Sequence, residues 1–177
     1  LLSFINELKK VPDAVEQVFA AKDKIHHIAG KLLTAEHAFM IGRGIDYPAL
    51  LEASLKLKEI SYIHSEAFAS GELKHGTIAL ITKNTPVIAL MTQEYLSSKQ
   101  VSNIREVQSR GAKVITVCTR SLKAYATDNF IELPDLDDEF TVIPAVVVMQ
   151  LLAYYVSSDK GLDVDKPRNL AKVVTVE

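Results

Sequence analysis

Three charged residues at helical spacing are the first candidates for chemistry. Glu52, Lys56 and Glu59 follow one another at intervals of four and three residues, which places their side chains together on a helix. A carboxylate beside a lysine can take a proton from one atom and return it to another, which is general acid–base chemistry. The same spacing is typical of a surface helix whose Glu52–Lys56 pair contributes about 0.2–0.5 kcal/mol. Spacing alone leaves both interpretations open.

A histidine in a glycine-bounded loop is the second candidate. The segment GELKHG, Gly71–Gly76, contains His75, and imidazole suits proton shuttling near neutral pH. A loop histidine is more often simply exposed. A metal site formed by His64, Glu66 and His75 would not have the spacing of any standard zinc site, so we predict no metal.

A strand, a glycine turn and a helix position the three charged residues. An apolar run at 38–41 predicts the strand, Gly42-Arg43-Gly44 the turn, and a helix begins near Asp46. Glycines let the backbone turn sharply. The two glycines also invite a dinucleotide-binding interpretation, but Tyr47 stands where that fingerprint requires its third glycine. We therefore predict no nicotinamide or flavin site and no cofactor.

The predicted helix carries two apolar arcs instead of one. The first contains Leu50, Ala53, Leu57 and Ile60, and the second contains Leu51, Leu55 and Tyr62. A helix that only covers a sheet has one apolar stripe. Two arcs predict two packing partners with the charged residues between them. We expect the second arc to pack on a part of the protein outside this chain, and therefore to be exposed here.

Two stretches resemble one enzyme family. GRGIDYPALLEASLKLKEISYIHSEAFASGELKHGTIALI, residues 42–81, and DVDKPRNLAKVVTVE, residues 163–177, resemble the second sugar-isomerase (SIS) repeat and the C-terminal tail of glutamine:fructose-6-phosphate aminotransferases, also called glucosamine-6-phosphate synthases. The resemblance covers essentially the whole chain. LKLKEISYIH, GELKHG and PRNLAK are specific to that family rather than to SIS domains in general.

The resemblance implies a role for five residues. Glu59 would move a proton between adjacent sugar carbons, with Lys56 assisting. His75 would open the sugar ring from the neighbouring subunit, which implies a homodimer. Lys172 would enter the sugar site and take part in isomerisation, with a Schiff base as one form of chemistry open to a lysine. Ala171 would add backbone contacts to the substrate.

A sugar-phosphate site also needs an anion cradle, typically built from Ser, Thr and Gly at a helix N-terminus. The expected place, Thr92–Ser98, has no glycine, and Glu94 would repel a phosphate. In the family the phosphate loop belongs to the first SIS repeat, upstream of this chain. We therefore expect an incomplete pocket. Since the chain also lacks a glutaminase domain, we expect no activity from it alone.

Composition excludes several other classes of function. The chain has 177 residues and a net charge of -2, with its 20 basic residues dispersed, which gives no reason to expect a nucleic-acid or membrane partner. The longest apolar stretch, 144–156, is interrupted by Gln150 and is too short to span a bilayer. Cys118, the one cysteine, suits a buried strand and a reducing compartment, so we expect a cytoplasmic protein. No signal peptide is recognisable, and the start at Leu1 predicts a fragment.

Strand and helix patterns alternate along the chain. This alternation predicts a single domain over 1–177 with three αβα layers and a mainly parallel sheet. The resemblance implies that it is an SIS domain, with a flavodoxin-like sheet. A helical pattern is predicted over residues 1–36, broken at Pro12 with a boundary near Gly30. The resemblance implies that 1–36 is a lead-in from the first repeat and that 162–177 is an active-site tail. Further strands are expected at 63–67, 86–91, 113–119 and 129–133. One helix is expected at 97–110, with Ser97 and Gln100 as a capping box at its start and Gly111 at its end. Another is expected at 144–160, from Pro144 to the stop at Gly161.

These expectations describe the C-terminal SIS half of an enzyme that converts fructose 6-phosphate and glutamine to glucosamine 6-phosphate and glutamate. Its partners would be the sugar phosphate, the first SIS repeat, the glutaminase domain and a second subunit. A non-catalytic SIS module for dimerisation or sugar-phosphate sensing is the alternative, but it would not need Lys56, Glu59, His75 and Lys172 together. A relative that degrades amino sugars is less consistent with the ending PRNLAKVVTVE.

Overall fold

The chain folds around a five-stranded parallel sheet. The computed structural model describes residues 2–170. Its strands are β1 (His37–Gly42), β2 (His64–Ala69), β3 (Pro86–Met91), β4 (Lys113–Thr119) and β5 (Phe130–Leu133). Their order is β2-β1-β3-β4-β5, and each neighbouring pair is parallel. This is the flavodoxin-like order, so the predicted fold class is confirmed.

Residues 2–170 contain six α-helices. They are α1 (Leu2–Leu8), α2 (Val11–Ala20), α3 (Lys22–Ala29), α4 (Asp46–Ser61), α5 (Ser97–Gln108) and α6 (Asp138–Asp159). Pro12 lies in the first turn of α2, where its missing N–H costs little. Gly30 begins the short 3₁₀ helix that follows α3, so the boundary predicted there is confirmed.

Alternate residues of the buried strands face two separate apolar layers. Met40 and Ile88 pack with the helices α3, α4 and α6 on what we call the α4 face of the sheet. Phe39 and Val87 pack on the opposite side, the α5 face, with apolar residues of α5 and of the segment between β2 and β3. The sheet is therefore the middle of three layers, and α4 and α5 lie on opposite sides of it.

The last helix is longer than the sequence predicted. It begins at Asp138, so Pro144 lies inside the helix and the predicted start is wrong. Asp138 and Glu139 favour an earlier start because carboxylates stabilise a helix N-terminus. At 22 residues, α6 is long and apolar enough to cross a membrane, so the length argument against a membrane span fails. It nevertheless packs as a core helix against α2, α3, α4 and the sheet.

The predicted capping box at Ser97 is also wrong. Among the residues that the structure describes, no side chain caps the N-terminus of α5. Instead, the buried Gln100 side chain donates to the Ile41 carbonyl oxygen at 3.0 Å and accepts from the Ser70 hydroxyl at 2.6 Å. Gln100 thus connects α5 to the carboxyl ends of β1 and β2.

Candidate functional site

The acid, base, acid cluster of α4 is assembled as predicted. Lys56 Nζ lies 2.7 Å from Glu59 Oε2 and 3.5 Å from Glu52 Oε1. The hydrogen bond to Glu59 raises the pKa of Lys56, against the opposing effect of burial. Lys56 therefore stays protonated at neutral pH and holds the Glu59 carboxylate in place. The Glu59 side chain is only 23% exposed, less than expected for a freely solvated surface acid.

The two arcs of α4 differ sharply in burial. Leu50 is 0% exposed and packs on the α4 face of the sheet, whereas Leu51 and Leu55 are 47% and 43% exposed. The second arc is therefore not buried within this chain, as predicted for these two leucines. Tyr62 departs from the arc because it is half-buried and has a partner in the chain, described below.

The neighbouring helix α6 also presents apolar residues to the outside. Ile143 and Tyr154 are exposed, although an outward helix surface is normally polar. Leu51, Leu55, Ile143 and Tyr154 are thus exposed apolar residues on two helices that pack together. The Lys56–Glu59 pair also lies on α4, in the same layer of helices.

His75 lies on the other side of the sheet from Glu59. It is exposed, in the turn that follows β2, and its backbone N–H donates to the Glu72 carbonyl oxygen at 3.0 Å. Leu73 and Ile78, on either side of it, pack on the α5 face. Since α4 covers the opposite face, one copy of this chain does not bring His75 to Glu59.

The other two predicted site residues, Ala171 and Lys172, lie outside the described residues. The described part of the tail ends at Leu170. Just before it, the Arg168 N–H donates to Tyr62 Oη at 2.8 Å, and the Arg168 guanidinium lies 4.1 Å from the centre of the Tyr62 ring. Tyr62 is three residues beyond Glu59, so the tail passes close to the C-terminal end of α4.

The crevice between β1 and β3 is where a sheet of this strand order usually binds its ligand, because the connections from these strands leave in opposite directions. Here Asp46, at the start of α4, accepts hydrogen bonds from the backbone N–H (3.1 Å) and hydroxyl of Thr92. Burial raises the pKa of Asp46 to about 6, although both Thr92 bonds act to lower it. A carboxyl group thus occupies this end of the crevice.

The buried side chain of Gln93 lies at the same edge of the sheet. Its Oε1 accepts the Ile45 N–H at 2.8 Å, and its Nε2 donates to Tyr95 Oη at 2.8 Å. Gly44 has φ +55°, and a Cβ there would overlap the Gln93 amide. A ligand phosphate would have to displace this buried side chain. Sequence reasoning missed Asp46, Thr92 and Gln93 as a unit, although polar residues at the ends of two neighbouring strands were a usable signal.

A pocket of about 560 Å³ opens at the opposite, amino-terminal edge of the sheet. Its lining includes His37 and His64, which are register partners with ring centres 5.6 Å apart, and also Glu66. His75 follows the far end of β2, so the strand separates it from His64. Within residues 2–170, no three or more metal-binding side chains are arranged to hold an ion.

Comparison with known proteins supports the family resemblance seen in the sequence. The model of the SIS domain family matches residues 31–156. Over 97% of its length, the chain is 50% identical to the isomerising glutamine–fructose-6-phosphate aminotransferase of Clostridium acetobutylicum and 54% identical to that of Lactiplantibacillus plantarum. It spans only 28% of the length of each of these relatives.

A solved structure shows the same relationship. The C-terminal domain of glucosamine-fructose-6-phosphate aminotransferase from Francisella tularensis superposes with a TM-score of 0.89 at 39% identity. That match covers 93% of this chain and 47% of the other. The resemblance seen in the sequence is confirmed, and the chain belongs to the SIS domain family.

Proposed function

We propose that this chain is the second SIS repeat and the C-terminal tail of an isomerising glutamine–fructose-6-phosphate aminotransferase, and that it supplies the acid–base residues of the isomerisation. The observation that carries this proposal is the Lys56–Glu59 pair, held at 2.7 Å in a half-buried position on α4. The similarity to the aminotransferases over 97% of the chain supports the same assignment.

Conversion of a ketose into an aldose moves a proton between adjacent carbons. Glu59 takes the proton from one carbon and returns it to the next, as one positioned carboxylate can do. Lys56 holds the Glu59 side chain in position through their hydrogen bond and offers a positive charge to the sugar oxygen on which negative charge develops. Partial shielding from water strengthens both effects, because charges interact more strongly in a less polar environment.

The complete site is a composite of several parts. His75 lies across the sheet from Glu59, so its role in ring opening requires a second copy of the chain in a homodimer. Asp46 and Gln93 occupy the crevice of this repeat, so the sugar phosphate is held by the upstream first repeat. Lys172 and Ala171 reach the sugar from the tail. The whole protein acts in the cytoplasm and uses glutamine through its glutaminase domain.

The proposal is tested with Glu59→Gln in the full-length protein. Gln has almost the same shape and can still hydrogen-bond Lys56, but it cannot accept a proton. We expect glucosamine 6-phosphate formation to fall by about 10²–10⁴-fold, the usual contribution of a general base.

Glu106→Gln is the matched control, since Glu106 is also in a helical ion pair, with Arg110 at 3.9 Å. It should leave the rate unchanged. Equal rates for the wild type and Glu59→Gln would overturn the proposal and favour a non-catalytic module for dimerisation or sugar-phosphate sensing.

A further inference from the structure

Tyr62 adopts a backbone conformation that is costly for its residue type. It follows α4 with φ 58° and ψ 17°, in the left-handed region. Helices commonly end with a residue in this conformation, but that residue is usually glycine because a Cβ makes it unfavourable. A tyrosine at this position indicates that its side chain has a use that offsets the cost.

That side chain contacts a residue 106 positions further along the chain. The hydroxyl accepts the backbone N–H of Arg168 at 2.8 Å, and the ring lies 4.1 Å from the Arg168 guanidinium. The ring contact is a cation–π interaction. Tyr62 therefore binds both the backbone and the side chain of one residue in the tail.

The segment that leads to Arg168 is directed toward Tyr62 by local hydrogen bonds. Gly161 reverses the chain at the end of α6 with φ +70°, and the Leu162 N–H donates to the Ser157 carbonyl oxygen at 3.0 Å. Asp163 Oδ1 then accepts the N–H groups of Asp165 and Lys166 at 3.0 and 3.1 Å. These turns bring the tail from α6 back across the end of α4.

We propose that Tyr62 is a positioning residue that docks the C-terminal tail beside Glu59. This inference rests on the proposed function, because it concerns the delivery of Lys172 to the site. Arg168 and Lys172 are four residues apart, a distance that an extended chain covers in at most about 14 Å. Tyr62 lies three residues after Glu59, so docking at Tyr62 keeps Lys172 within reach of Glu59. Release of Arg168 removes that restriction.

The docking is tested in this chain with a nitroxide attached to Leu170→Cys. Leu170 is exposed, and the one native cysteine, Cys118, is buried, so labelling is selective. We expect Tyr62→Gly to increase the label's mobility, with the undocked fraction rising about tenfold because a stacking contact and a hydrogen bond are lost. Glycine suits the left-handed backbone, so this variant keeps the end of α4 folded.

Two further variants sharpen the test. Tyr62→Phe keeps the ring and loses the hydroxyl, so its spectrum should lie between those of the wild type and Tyr62→Gly. Arg168→Ala removes the guanidinium but keeps the backbone N–H that Tyr62 Oη accepts, so its spectrum should also lie between those of the wild type and Tyr62→Gly. Adding Arg168→Ala to Tyr62→Gly should have no further effect, as expected for two residues that act through one contact. Tyr125→Ala, at an exposed tyrosine, should leave the spectrum unchanged. Equal mobility in the wild type and Tyr62→Gly overturns the docking.

The positioning role is tested in the full-length protein. We expect Tyr62→Gly to lower kcat for glucosamine 6-phosphate formation about tenfold with the KM for fructose 6-phosphate changed less than about twofold, and Tyr62→Phe to restore part of the loss. An unchanged kcat, in a protein that Glu59→Gln inactivates, overturns the positioning role. If Glu59→Gln is active as well, the proposed function fails while the docking stands.

Discussion

Lys56 and Glu59 face each other across one turn of α4, with Nζ 2.7 Å from Oε2. The pair lies on the layer that carries the exposed leucines of the second arc. An ion pair on a solvated helix contributes little to stability. Its placement on an apolar surface that this chain leaves uncovered points instead to a site completed by another part of the protein.

Lys56, the cation of the Lys56–Glu59 pair, should matter for catalysis more than for folding. In the full-length protein, we expect Lys56→Met to lower kcat at least about tenfold, because Glu59 loses its partner and the developing charge loses a nearby cation. Lys56→Arg keeps the charge and should retain more activity than Lys56→Met. Steady-state assays of product formation and the urea denaturation midpoint are the measurements. If kcat falls only in variants whose urea denaturation midpoint also falls, a catalytic role for Lys56 is contradicted.

The tail lysine should be needed for isomerisation. We expect Lys172→Ala in the full-length protein to abolish glucosamine 6-phosphate formation while the circular dichroism spectrum stays unchanged, since Lys172 is proposed to act on the sugar rather than in the core. Lys166→Ala, another lysine of the tail, is the matched control and should remain active. Full activity of Lys172→Ala would favour the non-catalytic alternative.

Asp46 should make stability depend on pH. Burial raises its pKa from 3.8 to about 6, so the folded state holds this proton more tightly than the unfolded state. The stability that the proton confers is present in full below about pH 4 and is lost as pH rises through 6. The difference between these two pKa values corresponds to about 3 kcal/mol of stability at full effect.

The test compares the wild type with Asp46→Asn, which removes the titration and keeps an acceptor for Thr92. Urea denaturation at pH 4, 5, 6 and 7 measures the free energy of unfolding of both proteins. We expect the wild type to lose about 2 kcal/mol relative to Asp46→Asn between pH 4 and pH 7. A difference that is constant over this range would show that Asp46 titrates normally.

The exposed leucines of α4 should contribute little to the stability of this chain. We expect the double variant Leu51→Ser, Leu55→Ser to change the free energy of unfolding by less than about 0.5 kcal/mol, as is usual for surface substitutions. Leu50→Ala, at the adjacent buried position, should cost about 2–5 kcal/mol. Urea denaturation separates the two cases. A cost above about 2 kcal/mol for the double variant would show that the second arc belongs to this domain's own core.

The sequence allowed much of the sheet to be predicted because the strands are continuous apolar runs, and β3 and β4 have the predicted bounds. The predicted start of α6 is wrong because Pro144 fits a first-turn proline, although the acids at 138 and 139 mark an earlier helix start. The spacing of Gln100 from Ser97 fits a capping box, whereas the real partners of Gln100, Ile41 and Ser70, are distant in sequence.

The candidate site was predictable to the extent that it is local. Glu52, Lys56 and Glu59 share one helix, so 3.6-residue periodicity brings them together. The contacts of Gln93 with Ile45 and of Tyr62 with Arg168 depend on the tertiary fold, which periodicity does not encode. The position of His75 relative to Glu59 was not predictable in this way. It depends on the topology, because α4 and the β2–β3 segment cover opposite faces of the sheet.

On the proposed function, the acid–base residues and the phosphate cradle belong to two different repeats. Calorimetric titration with fructose 6-phosphate, of this chain and of a longer protein that includes the upstream repeat, tests it most directly. We predict binding to the longer protein and none to this chain, because Asp46 and Gln93 occupy the crevice here. Binding of fructose 6-phosphate to this chain alone would contradict the claim and show that the repeat is a self-contained sugar-phosphate site.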